Sequence, residues 1–109
     1  MIRHVVMWKL LDPASAPRFK QLLDTCVGLV PGMIEFEVGI RSPGLDANVD
    51  VLLVSSFVDA AALNAYQNHP HHKAVSSQLG LLRESRSVLD HESLAPRAVT
   101  PGHMKEKPC

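Results

Sequence analysis

The residues with the most chemical capacity lie in one short segment, Tyr66-Gln67-Asn68-His69-Pro70-His71-His72. This segment contains the only tyrosine of the chain and three of its six histidines. Its central proline fixes one backbone angle and interrupts a helix, so the segment is predicted to join two short helices. Because such a joint is stiff, the side chains on either side of it are held in fixed directions. Polar groups held against a core either make buried hydrogen bonds or form a site.

A further histidine, His4, is predicted to face this segment. It shares one face of an N-terminal strand with Ile2 and Val6, while His72 shares a helical stripe with Val75. Both imidazoles are therefore expected between a sheet and its helices. An imidazole titrates near neutral pH, so His72 could act as a base next to a substrate carbonyl, with His4 as its partner. The Tyr66 hydroxyl would hydrogen-bond the resulting enolate oxygen.

Two other interpretations of these residues stay open. His4 and His72 could be core histidines that tie the first strand to the helix joint, and Tyr66 a core aromatic residue. His4, His69 and His72 could also supply three imidazoles to zinc. The intervening proline breaks the register that would aim the last two, and the segment has no Asp or Glu, so no metal is predicted. His69 is expected to fix the turn, and His71 to be exposed.

Length and composition indicate one globular domain. The chain has 109 residues, of which 46% are apolar and 20% are charged, so wholesale disorder is not expected. Lys plus Arg equal Asp plus Glu at 11 each, which argues against a dedicated nucleic-acid binder. No glycine-rich loop follows a strand and no phosphate-binding motif is present, so no cofactor is predicted.

Several features indicate a cytoplasmic protein. The two cysteines, Cys26 and Cys109, lie far apart in the sequence, which fits a reducing compartment better than a disulfide framework. The N-terminal residues lack the long apolar core of a signal peptide. No apolar run approaches the roughly 20 residues that a membrane span needs, so no membrane association is expected.

Hydrophobic periodicity predicts four strands and three helices. Strands are predicted over 2–11, 33–41, 49–58 and 83–91. A first helix begins near Asp12 or Ser15, a second follows the cap Asp59, and a third covers 71–82. The stripe of the first helix that faces the core contains Phe19, Leu22, Leu23, Cys26, Val27 and Val30. The apolar face of the second strand contains Ile34, Phe36, Val38 and Ile40.

The element order predicts an α+β domain with a split βαβ arrangement and an antiparallel sheet covered by helices on one face. The domain is expected to span residues 1–92. Residues 93–109 are rich in proline and have no periodicity, so they are predicted to form a C-terminal tail. Because the strands are apolar on both faces, the helix-free face of the sheet is predicted to pack on a second copy of the chain.

Five segments together resemble the stress-responsive dimeric α/β-barrel (Dabb) family over residues 1 to about 92. They are Met1-Ile2-Arg3-His4-Val5-Val6, Val30-Pro31-Gly32-Met33, Phe36-Glu37-Val38-Gly39, Asp50 to Phe57, and Tyr66-x-x-His69-Pro70-x-His72. The resemblance implies a ferredoxin-like subunit whose sheet packs on a second sheet to close a dimeric α/β barrel. It also implies a stress-associated protein of unassigned reaction. We therefore expect a small apolar or carbonyl-bearing ligand between the sheet and the helices.

The same resemblance implies one enzymatic alternative. A plant branch of the family contains polyketide cyclases of the olivetolic-acid type, whose acid–base pocket matches His4, Tyr66 and His72 here. Those cyclases also place a tyrosine on the first helix, whereas this chain has Cys26 near that place. The departure argues against the same substrate and leaves a similar lyase-like pocket open. A third alternative is a purely structural dimer without a ligand, in which Phe19, Leu23 and Leu79 would fill the cavity.

Overall fold

A computed structural model describes residues 1–94 and shows a four-stranded antiparallel sheet with three helices on one face. The predicted ferredoxin-like α+β fold is confirmed, with strand order β2-β3-β1-β4. The elements are β1 (Ile2–Leu10), α1 (Ala16–Asp24), β2 (Met33–Ile40), β3 (Val51–Phe57), α2 (Ala60–Asn68), α3 (Pro70–Gly80) and β4 (Arg83–Glu92).

The predicted helix joint is a sharp corner with side-chain caps. The Asp59 carboxylate accepts a hydrogen bond from the Ala62 N–H at 2.8 Å and begins α2. His69 ends α2 in an extended conformation and also begins α3, where its Nδ1 accepts from the His71 N–H at 3.1 Å. Pro70 occupies the first position of α3, where its missing N–H costs nothing. The corner therefore fixes the relative direction of the two helices.

The core lies between the helices and the face of the sheet that we call the helix-side face. Its centre is the edge-to-face pair Trp8–Phe19, with ring centroids 5.0 Å apart. Alternate residues of β1 and β3 supply the sheet side of the core, and α1 and α3 supply the other. The buried side chains include Val6, Leu23, Leu53, Phe57, Val75 and Leu79.

Two details of the predicted apolar pattern are wrong. Helix α1 ends at Asp24, because a tight turn with bonds from the N–H of Cys26 and Val27 to carbonyls three residues earlier replaces the helix. Val27 is consequently exposed, although Cys26 is still fully buried. Ile34 is exposed as well, because the register of β2 shifts between Met33 and Glu35 and takes it off the core face.

The opposite face of the sheet, called here the open face, is not covered by any helix of the described chain. Its centre is apolar and consists of Val5, Met7, Leu52, Val54 and Leu89, which the strand register places side by side. Among residues 1–94, no helix is long and apolar enough to cross a membrane. The predicted tail at 93–109 lies outside the described residues, except for its first two positions.

Candidate functional site

A cleft of about 220 Å³ lies between the helix-side face of the sheet and helices α2 and α3. It is lined by all three residues that the sequence nominated, His4, Tyr66 and His72. Leu23 and Leu79 form part of its walls rather than filling it. The cleft is smaller than the roughly 300–1,000 Å³ typical of pockets for drug-sized ligands, so it suits a small molecule.

The exposure of the lining residues defines an inner end and a mouth. Tyr66 and Cys26 are fully buried and form the inner end, while His72 is half-buried. Ser76 of α3 and the two arginines Arg83 and Arg86 of β4 line the cleft and are exposed, so they form the mouth. A ligand entering the cleft therefore passes from charged surroundings into apolar ones.

Tyr66 is held at the inner end by aromatic neighbours. Its ring centroid lies 5.2 Å from that of Phe57 and 4.6 Å from that of His72. The buried Tyr66 hydroxyl has no hydrogen-bond partner among the described residues. The neighbouring Cys26 thiol interacts with it, but a thiol sulfur is only a weak acceptor. Burial, and then the Cys26 thiol, raise the pKa of Tyr66 above its ordinary value, so the hydroxyl stays protonated and able to donate.

His72 is held by the backbone of the helix joint. Its Nδ1 lies 3.2 Å from the Gln67 carbonyl oxygen, which can only accept, so Nδ1 carries a proton and Nε2 keeps its lone pair in the neutral ring. Burial lowers the pKa of His72, the Gln67 hydrogen bond opposes this, and the cationic forms of His4, Arg86 and His69 lower it further. The ring is therefore a neutral proton acceptor at neutral pH.

His4 is held by a carboxylate. Its ring is almost fully buried on β1, and its Nδ1 forms a short hydrogen bond with Oδ1 of Asp90 on the paired strand β4. The carboxylate fixes the neutral tautomer with the proton on Nδ1 and holds the ring orientation. This is the arrangement by which an acid residue orients a histidine that exchanges protons with a substrate.

The remaining histidines of the joint have other partners. His69 caps α3, as predicted for the turn, and the exposed His71 ring lies 2.8 Å from the Thr25 hydroxyl through its Nε2. Within residues 1–94, no group of three His, Cys, Asp or Glu side chains is placed to hold a metal ion. The zinc hypothesis therefore has no supporting geometry in this part of the chain.

Three residues of the site were missed by the sequence interpretation: Asp90, Arg83 and Arg86. All three lie on β4, which has no clear apolar alternation, so its register against β1 is not readable from the pattern. The signal that could have found Asp90 is the antiparallel pairing of the first and last strands in this fold, whose register places Asp90 opposite His4.

The three nominated residues lie around one small space. The Tyr66 ring centroid lies 6.4 Å from that of His4 and 4.6 Å from that of His72. The space thus holds a neutral imidazole, an imidazole backed by a carboxylate, and a hydroxyl donor without an acceptor among residues 1–94. A ligand carbonyl oxygen would satisfy that donor.

Comparisons with known proteins agree with this architecture. The family described as the stress responsive A/B barrel domain matches residues 2–93. No curated protein matches the chain in sequence.

Solved structures with the same fold include three bacterial proteins. A dimeric ferredoxin-like protein of unknown function from Bacteroides fragilis is 26% identical, with a TM-score of 0.70 over 84% of this chain and 95% of its own. A dimeric one from Thermobifida fusca is 19% identical, with a TM-score of 0.73 over 83% and 88%. A Dabb family protein from Mesorhizobium loti is 24% identical, with a TM-score of 0.70 over 86% and 97%.

Proposed function

Because the chain belongs to the stress-responsive A/B barrel domain family and has an open cleft, we propose that it binds a small carbonyl-bearing molecule between sheet and helices. The observation that carries the proposal is the buried Tyr66 hydroxyl, which has no hydrogen-bond partner within residues 1–94. A buried polar group without a hydrogen bond costs about 1–3 kcal/mol, and a ligand oxygen would recover much of that cost. The apolar walls around it favour an apolar body on the ligand.

The test compares the wild-type protein with Tyr66→Phe, which removes only the hydroxyl. The probe is 2-heptanone, and binding is followed by amide chemical shifts of the cleft residues in NMR titrations. Loss of one neutral hydrogen bond, worth about 0.5–1.5 kcal/mol, should weaken binding about 2- to 10-fold. Stability should stay the same or rise, because the removed group had no partner. A destabilised Tyr66→Phe protein with unchanged ketone affinity would instead make Tyr66 a structural residue.

A second candidate function is lyase- or cyclase-like acid–base catalysis, and the His4–Asp90 pair favours it. In this proposal the His72 Nε2 takes a proton from the carbon next to the bound carbonyl, and Tyr66 donates to the enolate oxygen. The protonated His72 Nε2 then returns a proton to that carbon, which restores the neutral imidazole, and His4, oriented by Asp90, is its partner in the cleft. Each of these residues thus has a role that its geometry supports.

Deuterium exchange tests this candidate without knowledge of the natural substrate. The protein in D₂O should accelerate replacement of the α-hydrogens of 2-heptanone, observed by proton NMR. General base catalysis typically contributes about 10²–10⁴-fold, so His72→Gln should remove about 100-fold or more of the acceleration. His71→Gln, an adjacent and exposed histidine, is the matched control and should change nothing. Equal losses in both variants, or no acceleration by the wild type, would leave a binding protein.

We further propose that the chain forms a homodimer through its open face. The proposal is supported by the uncovered apolar centre of that face and by similar structures described as dimeric. In sedimentation velocity the wild type should be a dimer at micromolar concentration. Val54→Glu puts an unpaired charge in the predicted interface and should shift the protein to monomer. Ala65→Glu, on the exposed surface of α2, should remain dimeric, and a monomeric wild type would contradict the proposal.

A cytoplasmic location is proposed as well. It is supported by Cys26, a buried cysteine that is free in the described part of the chain. Structural disulfides are rare in the reducing cytosol, where such thiols persist.

A further inference from the structure

The mouth of the cleft carries two arginines for which neither the fold nor the proposed ligand carbonyl accounts. Arg83 and Arg86 both line the cleft from β4. Among residues 1–94, neither guanidinium forms an ion pair with a carboxylate. An arginine fork suits planar, bidentate binding of a carboxylate, and such bonds are stronger than those between neutral groups.

A β-bulge brings the two arginines to the same face. In a regular strand, residues three positions apart point to opposite faces. The register of β4 against β1 shifts here, so that Arg86 pairs with Trp8 and Arg83 pairs with Leu10. Trp8 and Leu10 are both buried on the helix-side face, so both arginines lie on that side. Bulges of this kind re-aim side chains next to binding sites.

The charged side chains that line the cleft in the described chain, Arg83 and Arg86, are both positive. No carboxylate side chain is among its lining residues in the described chain, and the Asp90 carboxylate is hydrogen-bonded to His4. Glu84, the residue beside Arg83, pairs with Lys9 of the open face at 3.5 Å. Arg86 and His72 both line the cleft, and the like charge of the guanidinium contributes to the lowered pKa of His72. An anionic ligand group would offset this repulsion at the mouth.

We infer that the ligand of this cleft is an oxo acid, with its carboxylate held at the mouth by Arg86 and Arg83 and its carbonyl directed toward Tyr66. The inference rests on the proposed carbonyl-binding function and adds the anionic group at the other end of the molecule. The apolar wall between the two ends accommodates the carbon chain that joins them. The small cleft volume limits the ligand to a short chain.

The test uses two probes that differ only in charge, 5-oxohexanoate and the neutral 5-oxohexanamide. Both are titrated by NMR at low salt, with the cleft amides as reporters. The acid should bind the wild type at least about 10-fold more tightly than the amide, since a hydrogen bond to a charged group contributes about 1.5–3 kcal/mol. The preference should shrink when the salt concentration is raised to about 0.2 M, because screening weakens exposed charges.

Substituting an arginine tests whether the preference for the acid over the amide arises at the mouth of the cleft. Arg86→Gln should lower the affinity for the acid about 10-fold and leave that for the amide within about twofold. Lys9→Gln removes the same charge from the open face and should leave both affinities unchanged. Equal binding of the two probes by the wild type would overturn the oxo-acid inference and leave the carbonyl site standing. If neither probe bound the cleft, the proposed function itself would fail.

Discussion

The two faces of the sheet have the same alternation of apolar side chains but different surroundings. On β3, Leu53 lies under the helices and is almost fully buried, whereas its neighbour Leu52 lies on the open face and is only partly buried. On β1, Val6 and Val5 form the same contrast. The strand pattern therefore indicates that both faces need a cover, and the helices of the described residues cover only one of them.

The polar residues of the two faces differ in the opposite way. On the open face, Arg3 bonds to the Ser56 hydroxyl at 3.4 Å, and Ser56 donates to Glu35 at 3.0 Å, so the polar groups satisfy one another. On the helix-side face, the Tyr66 hydroxyl has no partner in the described chain. In the cleft, the requirement left unmet is a hydrogen-bond partner for the Tyr66 hydroxyl. On the open face, it is a cover for the apolar centre. The proposed ligand would satisfy the first requirement, and the proposed dimer partner would satisfy the second.

The largest expected effect comes from truncating the adjacent leucines of β3. Leu53→Ala should lower the free energy of unfolding by about 2–5 kcal/mol, as for a buried core truncation, at any protein concentration. Leu52→Ala should cost less, and its cost should depend on protein concentration because it acts through the dimer. Chemical denaturation at two concentrations a hundredfold apart separates the two. A concentration-independent loss for Leu52→Ala would mean that the open face stays uncovered.

A smaller effect is expected from the acid titration of His72 on the helix-side face. The pKa of His72 is lowered in the folded protein, chiefly by burial, from its ordinary value of 6.5. Below pH 6.5 the unfolded chain therefore binds the proton more readily, and the free energy of unfolding falls as the pH falls toward the folded value. Above pH 6.5 the contribution is fully present.

Denaturation curves between pH 7.5 and 5 measure this dependence. The His72→Gln variant should lose stability less steeply on acidification than the wild type, while His71→Gln should follow the wild type. The contribution of all other titrating groups is common to the three proteins, so it cancels when their free energies of unfolding are compared at each pH. Identical slopes in all three proteins would show that the His72 ring is solvated well enough to titrate normally, and the neutral base of the cleft would be lost.

The sequence predicted the structure best where its hydrophobic periodicity is strong. The alternation on β1 and β3 and the Tyr66–His72 segment were enough for the fold and for the meeting of His4, Tyr66 and His72. The errors fall where a regular element ends early, as at Val27 after α1, or shifts its register, as at Ile34 in β2. Ile34 continues the alternation in sequence, but a bulge turns it outward, and nothing in its neighbours signals the bulge.

The part of the site on β4 could not be predicted for a related reason. Arg83 and Arg86 are three residues apart and would face opposite sides of a regular strand. Only the paired strand reveals the bulge that brings them together. Likewise, Asp90 reaches His4 across 86 positions of sequence, and such a contact follows from register rather than from local pattern. The pairing of strands that are distant in sequence is the feature that is hardest to predict from a single sequence.

The smallest expected effect concerns the Arg3–Glu35 ion pair at the edge of the open face, whose charged atoms lie 3.6 Å apart. The Glu35 side chain is 49% exposed, so solvent screens the pair. A double-mutant cycle with Arg3→Gln and Glu35→Gln should give a coupling energy of about 0–1 kcal/mol, as for exposed pairs. The Lys20–Asp24 pair on α1 is the matched exposed control, with its charged atoms 2.8 Å apart.

A coupling energy well above that of the control would show that the Arg3–Glu35 pair lies within the dimer contact. It would mean that a partner chain removes water from Arg3 and Glu35, since a desolvated charge pair is more strongly coupled than an exposed one. The dimer contact would then extend from the apolar centre across β3 to β2. A value equal to the control would confine the contact to the centre, around Val5, Met7, Leu52, Val54 and Leu89, and leave the β2 edge in solvent.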